Sequence, residues 1–431
     1  MKISFYNIGC KVNFSETAEI QEQFEKLGHS IVPFGNPSDA VLINTCTVTR
    51  EADADCRKII RRAIRTSPNA FIGVMGCYAQ LRSDEISAIE GVDAIFGNEE
   101  KYHIPELIGN FQKRNKLGLY IGKLEHVEFH GASSVDNENH TRVVLKIQDG
   151  CDYVCTYCTI PSARGGSRSM KFDDLRNKLL ELNETEFNEI ILSGVNLGEY
   201  KAPTGENFTD VVKLVESLDL KLRFRISSIE PNLVKPDLLE IISNSEKMCP
   251  HFHIPLQSGS PDILKLMKRR YNIDVFTNLV HDIKEKIPDC CIGIDVISGF
   301  PGETDSHFKE TYDLLNSLPI SYLHVFTYSK RDGTEAAVYP NEVPHNTKKD
   351  RTHALRALSD KKKNEFYQSQ NGKIKTVIPE QYDESTNTWK GWTENYVKVV
   401  FKNEQKKDLV KVKLLNSEMN YINSKVIQQH N

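Results

Sequence analysis

Apolar positions recur with two different periods along this chain, and the alternation between them divides it into three stretches. Between residues 3 and 96, short apolar runs (Ile3–Ile8, Val41–Asn44, Phe71–Met75, Ala94–Phe96) alternate with stretches of helical spacing, Ser15–Leu27, about Glu51–Arg65 and Ser83–Ile89. The first pattern suits strands and the second suits helices with one apolar face. Strand–helix alternation predicts an open parallel α/β sheet. From about Glu125 to Thr141 the apolar positions thin out in favour of Gly, Ser, Asn and His, which predicts a linker.

Six β-branched runs follow: Val143–Ile147, Ile190–Leu192, Leu222–Ile226, Phe252–Leu256, Ile292–Ile297 and Tyr322–Thr327. Helical patterns fall between them, among them Leu175–Leu182, Val211–Leu218, Leu238–Ile242, Ile263–Met267, Phe276–Ile287 and Phe308–Leu315. Six β/α units predict a partial barrel, open on one side, where a closed one needs eight. A basic helical stretch from about Lys348 to Gln370 leads into short alternating strands around Gly391 and Asn395-Tyr396, which read as a small β-barrel. The expected domains are 1–125, 138–370 and 371–431.

Composition changes this picture only through charge. The 39% apolar and 26% charged residues are those of a soluble globular protein. No apolar stretch approaches the roughly 18–20 residues of a membrane span, and no signal-like region precedes the first strand, so a cytoplasmic protein without a membrane partner is expected. Residues 348–431 hold 17 Lys and Arg against 10 Asp and Glu, a net of +7, while the preceding residues carry −11. A basic C-terminal end on an acidic body suggests that a polyanion docks there.

Ten cysteines in such a chain point to metal binding or catalysis before disulfides. Cys151, Cys155 and Cys158 sit within eight residues, with Tyr157 before the last. Structural zinc and cubane iron–sulfur clusters both want four ligands, and no Cys or His follows closely. One metal position is thus left open to a small molecule, unless a distant ligand completes a zinc knuckle. Each barrel strand is followed by a polar or Gly-containing loop: the cysteine loop, Ser193–Asn196, Ser227–Pro231, Gln257–Ser260, Ser298–Glu303 and Ser329–Thr334. Functional residues of such folds gather on that rim. Tyr157, Ser193, Asn196, Ser228, Glu230 and Gln257 are the candidates for holding a nucleotide-like cofactor there.

Cys10, Cys46 and Cys77 each end a predicted strand, and one parallel sheet would bring them to one edge. Three structural cysteines are the alternative; a second cluster with an open iron is the reading favoured by the strand-end placement. Cys56, Cys249, Cys290 and Cys291 have core spacing or lie at strand entrances and are expected to be structural.

The C-x3-C-x2-C spacing resembles the signature of radical S-adenosylmethionine (SAM) enzymes, and the whole chain is similar to the methylthiotransferases of that superfamily. The resemblance implies two 4Fe-4S clusters, one at Cys151, Cys155 and Cys158 that cleaves SAM and an auxiliary one at Cys10, Cys46 and Cys77 that carries sulfur. It also implies a C-terminal RNA-binding TRAM-like barrel around Gly391-Trp392-Thr393-Glu394-Asn395-Tyr396-Val397, where Trp392 and Tyr396 could stack on bases. Gly9-Cys10-Lys11-Val12-Asn13, Gly97-Asn98-Glu99-Glu100-Lys101 and Cys158–Gly165 resemble the branch that methylthiolates C2 of N6-threonylcarbamoyladenosine at position 37 of tRNA. Phe14 departs from the polar residue expected there. That branch implies tRNA as partner, with no DNA, and an electron donor such as flavodoxin or ferredoxin. Its substrate carries a carboxylate, for which Arg164, Arg168 and Arg331 are candidate grips. The alternatives are action on isopentenylated tRNA adenosine, on a ribosomal-protein aspartate, or a non-catalytic iron–sulfur RNA-binding regulator.

Overall fold

The computed structural model describes residues 1–109, 111–114, 116–125, 127–134, 141–402 and 409–427. Six parallel strands form the first sheet, in the order Ser30–Val32, Lys2–Asn7, Ala40–Thr45, Phe71–Gly76, Ala94–Phe96 and Gly118–Tyr120. The helix Lys11–Lys26 buries Ile20 and Phe24 against the face of Ile3, Leu42 and Phe71. The helix Arg50–Thr66 buries Cys56, Ile60 and Ala63 against the opposite face, on Val41, Ile43 and Ile72. Chain order therefore reverses between Lys2–Asn7 and Ala40–Thr45, which opens a crevice at their carboxyl ends.

The six expected barrel strands are present. Arg142–Lys146, Glu189–Ser193 and Arg223–Ile226 pair in parallel, as do His251–His253, Cys291–Ser298 and Tyr322–Thr327, and a bridge from Phe224 to Met248 joins the two groups. The central core lies between these strands and the helices outside them, with Leu145, Leu192, Phe224, Phe252 and Ile292 meeting Leu179, Val215, Leu238 and Phe276. One strand lay hidden in the predicted linker: Ala132–Ser133 pairs antiparallel with Arg142–Lys146. Two residues carry no period, and what fixes them is Ser134, whose Oγ accepts from the Val144 amide at 2.9 Å. Residues 135–140 of that linker lie outside the described residues. The helix His345–Ser369 then leads to five strands, Ile374–Asp383, Thr388–Thr393, Lys398–Phe401, Val410–Ser417 and Ile422–Val426, which close into a barrel around Val377, Val399, Val412, Leu414 and Ile422. Among the described residues no helix is long and apolar enough to cross a membrane.

Two buried carboxylates hold these parts together. Glu16, on the first helix, receives Lys101 Nζ at 2.6 Å, Lys146 Nζ at 3.0 Å, Arg164 at 2.9 Å and the Tyr102 hydroxyl at 2.9 Å. Lys101 and Tyr102 come from the N-terminal part, while Lys146 and Arg164 come from the barrel. Asp149 accepts from the same Arg164 Nη1 and from Arg168 Nη2, each at 2.9 Å. Glu189 does the same for the C-terminal barrel: it pairs with Arg223 and Arg225, whose remaining N–H groups donate to the carbonyls of Thr376, Trp392, Thr393 and Glu394. Burial would raise the Glu16 carboxyl, but Arg164, Lys101 and Lys146 outweigh it and hold it well below the usual carboxylate range.

A carboxyl lowered in the folded state stabilises above its unfolded pKa and loses that contribution as pH falls through the folded value. Glu16→Gln leaves three buried cations short of an anion and should reduce unfolding free energy by about 3–5 kcal/mol at pH 7. In denaturant titrations the gap between variant and wild type should narrow only below about pH 4, where the wild-type carboxylate begins to protonate in the unfolded chain.

Candidate active site

Cys10, Cys46 and Cys77 all lie at the carboxyl ends of neighbouring strands, beside the crevice. Cys10 caps the helix that starts at Lys11, Cys46 follows Ala40–Thr45, and Cys77 opens a short helix after Phe71–Gly76. Gly9 has φ of 126°, and a Cβ there would stand 2.8 Å from Cys46 Cβ, so only glycine lets the first two cysteines approach. Asn98 Nδ2 donates to Cys77 Sγ at 3.5 Å and to the Ala163 carbonyl at 2.6 Å, which ties this thiol to the loop that follows Cys158. Burial, and then the neighbouring Cys77 and Cys10 thiols, push Cys46 up to about 12.

On the barrel side, Cys151 Sγ accepts from the Tyr153 amide and Cys158 Sγ from the Ile160 amide, each at 3.4 Å. Arg269 Nη1 donates to Cys155 Sγ at 3.0 Å and to the Tyr157 hydroxyl at 3.4 Å, and its other edge pairs with Glu230. Burial pushes Cys158 up to about 12. Thiols so raised stay protonated until a metal displaces the proton.

All six cysteines are free. Among the described residues, neither triad brings its three sulfurs within 4.8 Å of one another. The rim nearby holds buried polar atoms with no protein partner: both side-chain polar atoms of Asn196, and the hydroxyls of Ser227, Ser260 and Tyr328. Such atoms are left for water or a bound polar molecule, and a nucleoside-type cofactor is compatible with them.

A cavity of about 200 Å³ is lined by Val48 and Thr49, just past Cys46, and by Tyr157, Cys158, Gln257, Asp295, Phe326 and Tyr328 from the barrel. One space is thus walled by the loops of both triads. Gln257 enters it on a left-handed backbone (φ 69°), an unusual conformation that sits next to the binding space. Of the other expected cofactor contacts, Ser193, Asn196, Ser228 and Glu230 do not line this cavity; Glu230 is held by Arg269, beside Cys155.

The three candidate arginines all pair with protein carboxylates, although the buried Nε of Arg331 is left without a protein partner. Arg164 is 1% exposed and saturated by Glu16, Asp149 and Asn13. Arg168 pairs with Asp149 and donates to the Arg164 carbonyl. Arg331 pairs with Asp53 at 2.7 Å and donates to Thr47 Oγ1, which fastens the last barrel loop next to Cys46. Trp392 and Tyr396 stack on each other with ring centroids 4.5 Å apart, and Tyr396 lies against His251 and Arg225, so this pair packs at the seam with the central barrel. Arg269, by contrast, was not expected; an Arg269-Arg270 pair after a helix, close to an acidic rim loop, was its only sequence signal. Lys11 was likewise passed over. It is exposed at the surface, and the protein packed around it, together with Arg225 and Arg142, draws its ammonium down to about 8.

A partial β/α barrel with three thiols on its first loop and orphaned polar atoms on its rim is a radical SAM fold. Residues 145–315 match the radical SAM superfamily, and residues 2–97 match the uncharacterized protein family UPF0004. The chain resembles in fold the radical SAM methyltransferase TsrM from Kitasatospora setae, with a TM-score of 0.57 over 78% of this chain and 75% of that one, at 12% identity. It is 37% identical to the threonylcarbamoyladenosine tRNA methylthiotransferase MtaB of Bacillus subtilis, over 97% of this chain and 95% of that protein. It is 35% identical to MtaB of Aquifex aeolicus over 93% and 96%. A tRNA-2-methylthio-N(6)-dimethylallyladenosine synthase of Staphylococcus epidermidis is 30% identical over 98% and 84%. The chain belongs to the radical SAM tRNA methylthiotransferase family, in the MtaB branch.

Anaerobically reconstituted protein should hold about eight irons, two cubanes. Replacing Cys151, Cys155 and Cys158 with Ala should leave about four irons and no SAM cleavage, whereas replacing Cys10, Cys46 and Cys77 should leave about four irons with SAM cleavage intact. Iron analysis that still finds about eight after the second replacement would show that the N-terminal triad holds no cluster.

Proposed function

We propose that this chain converts N6-threonylcarbamoyladenosine at position 37 of tRNA to its 2-methylthio form. The observation that carries this reading is the single cavity walled by the loops of both cysteine triads. A C2–H bond of adenine is too strong and too weakly acidic for side-chain proton transfer. When bound, a SAM-binding cluster at Cys151, Cys155 and Cys158 and a sulfur-carrying cluster at Cys10, Cys46 and Cys77 supply the radical and sulfur chemistry that the chain itself lacks.

The chain's own residues hold the two ends of that reaction at a fixed separation. Asn98 spans from Cys77 to the Ala163 carbonyl, and Arg331 spans from the last barrel loop to Thr47 and Asp53. Arg269 fixes Cys155 and Glu230 together, and its cation lies where a sulfur-ligated cluster would gain electron density. Tyr157 packs edge-on to Phe300 and keeps that side apolar. The proposed division of labour is 1–125 for the auxiliary cluster, 138–370 for SAM, and 371–431 for RNA. The electron comes from a small donor of the flavodoxin or ferredoxin kind in the cytoplasm.

Beside the stacked aromatic pair expected from sequence, the C-terminal barrel offers a basic face for RNA. Lys411, Lys413 and Lys425 are exposed on adjacent strands, and Lys413 is directly opposite Lys425. Like charges placed opposite each other are unfavourable without an anion between them.

Two outcomes follow. Turnover with reductant and SAM should occur on tRNA bearing threonylcarbamoyladenosine and be at least about 10²-fold slower on isopentenylated tRNA, because a site built for a polar group rejects an analogue without it. Comparable rates on both would remove the substrate assignment. Replacing Lys411, Lys413 and Lys425 with Ala should weaken tRNA binding and reduce the log–log salt slope by about 2–3. An unchanged slope would move the phosphate contacts elsewhere.

A further inference from the structure

The helix Arg50–Thr66 runs against the charge of its surroundings. Residues 1–347 carry a net −11, yet residues 56–67 hold five cations, Arg57, Lys58, Arg61, Arg62 and Arg65, and no carboxylate. Two of the five are matched: Arg57 pairs with Glu85 at 2.8 Å and Lys58 with Asp55 at 2.9 Å. Arg61, Arg62 and Arg65 are exposed, and among the described residues their guanidiniums make no ion pair and no hydrogen bond. Arg62 lies over the Phe34 ring, 5.3 Å from its centroid, which steadies it without neutralising it. The start of this helix is the mouth of the cavity. Thr49 and Ser329 both line it, and the Arg50 amide donates to Ser329 Oγ at 3.1 Å. The next residue on each loop, Arg50 and Lys330, is exposed, so the N-terminal part and the barrel each set one cation at the rim. Arg331 fastens the two loops together through Asp53 at 2.7 Å and Thr47 at 2.6 Å. The carboxylate near both rim cations, Glu342, is already paired with Lys348 at 3.1 Å. From Arg50 to Arg65 the helix climbs about 22 Å, and Arg50, Arg61 and Arg65 fall within about 60° of one another around its axis.

We infer that Arg50 and Lys330 hold the backbone of the substrate RNA at the cavity mouth and that Arg61, Arg62 and Arg65 continue the contact along the adjoining strand, an assignment that rests on tRNA as the substrate. A base enters such a cavity only by leaving its stack, while its own phosphates stay outside. Two cations at the rim are then placed to meet the phosphates on either side of it. Contacts of that kind set the position of the base without reading its sequence. One strand of a duplex carries a charge every 3.4 Å or so, and a row of about 22 Å therefore follows several phosphates. A basic row in an otherwise acidic body has no match inside the protein, and a polyanion supplies one. The row belongs to the N-terminal part, apart from Lys411, Lys413 and Lys425, so the RNA is held through two modules.

The test is salt-dependent binding of the reconstituted protein to tRNA and to its isolated anticodon stem-loop. Arg61→Gln, Arg62→Gln and Arg65→Gln together should weaken tRNA binding by about 10–100-fold near 0.1 M salt and reduce the log–log slope by about 2–3. Arg61→Lys, Arg62→Lys and Arg65→Lys together should keep most of the slope, since a phosphate contact draws chiefly on charge. Arg50→Gln with Lys330→Gln should reduce the slope by about 1–2. The losses should be as large on the stem-loop as on whole tRNA. An unchanged slope in either Gln set overturns the assignment, and so do losses that vanish on the stem-loop. Lysine acetylation of the wild-type protein decides the matter if a variant fails to retain iron. Saturating tRNA should slow modification of Lys58 and Lys330 several-fold, and equal rates with and without tRNA overturn the proposal. A wild type with no affinity for tRNA would instead refute the substrate reading itself.

Discussion

Glu16 is a fully buried carboxylate that cations reach from two parts of the chain, and the geometry of both cysteine triads depends on it. Two of its partners, Lys101 and Arg164, each lead on to a triad. Lys101 bonds Asn98, which donates to Cys77; Arg164 bonds Asn13, which lies by Cys10, and sits at the end of the helix that follows Cys158. A buried ion pair is weak evidence for stability alone, since desolvation takes back most of the Coulombic gain. Its worth here is register: charges that must be satisfied inside protein permit one arrangement of the N-terminal sheet on the barrel. Two reacting centres that share a substrate need that fixed separation.

Glu189 plays the corresponding part at the other end. Its arginines reach across to backbone carbonyls of the C-terminal barrel, so this small barrel is fixed to the central one by directional hydrogen bonds beside an aromatic stack. Trp392 and Tyr396, read from sequence as base-stacking candidates, stack on each other within this joint.

Local patterns carried most of the fold. Strand and helix periods placed the six barrel strands and the helices between them, and strand ends located Cys10, Cys46 and Cys77. What failed to show was long-range pairing. Arg164 meets Glu16 across 148 residues and Arg331 meets Asp53 across 278, and no local pattern distinguishes such an arginine from one free to bind substrate. Gln257 on a left-handed backbone was equally hidden, because a non-glycine residue there leaves no compositional mark.

The most direct test is nucleoside mass spectrometry of total tRNA from a strain lacking this gene. The expected result is loss of 2-methylthio-N6-threonylcarbamoyladenosine, accumulation of its threonylcarbamoyl precursor, and an unchanged level of the methylthiolated isopentenyl nucleoside. Wild-type levels of 2-methylthio-N6-threonylcarbamoyladenosine in that strain would contradict the account.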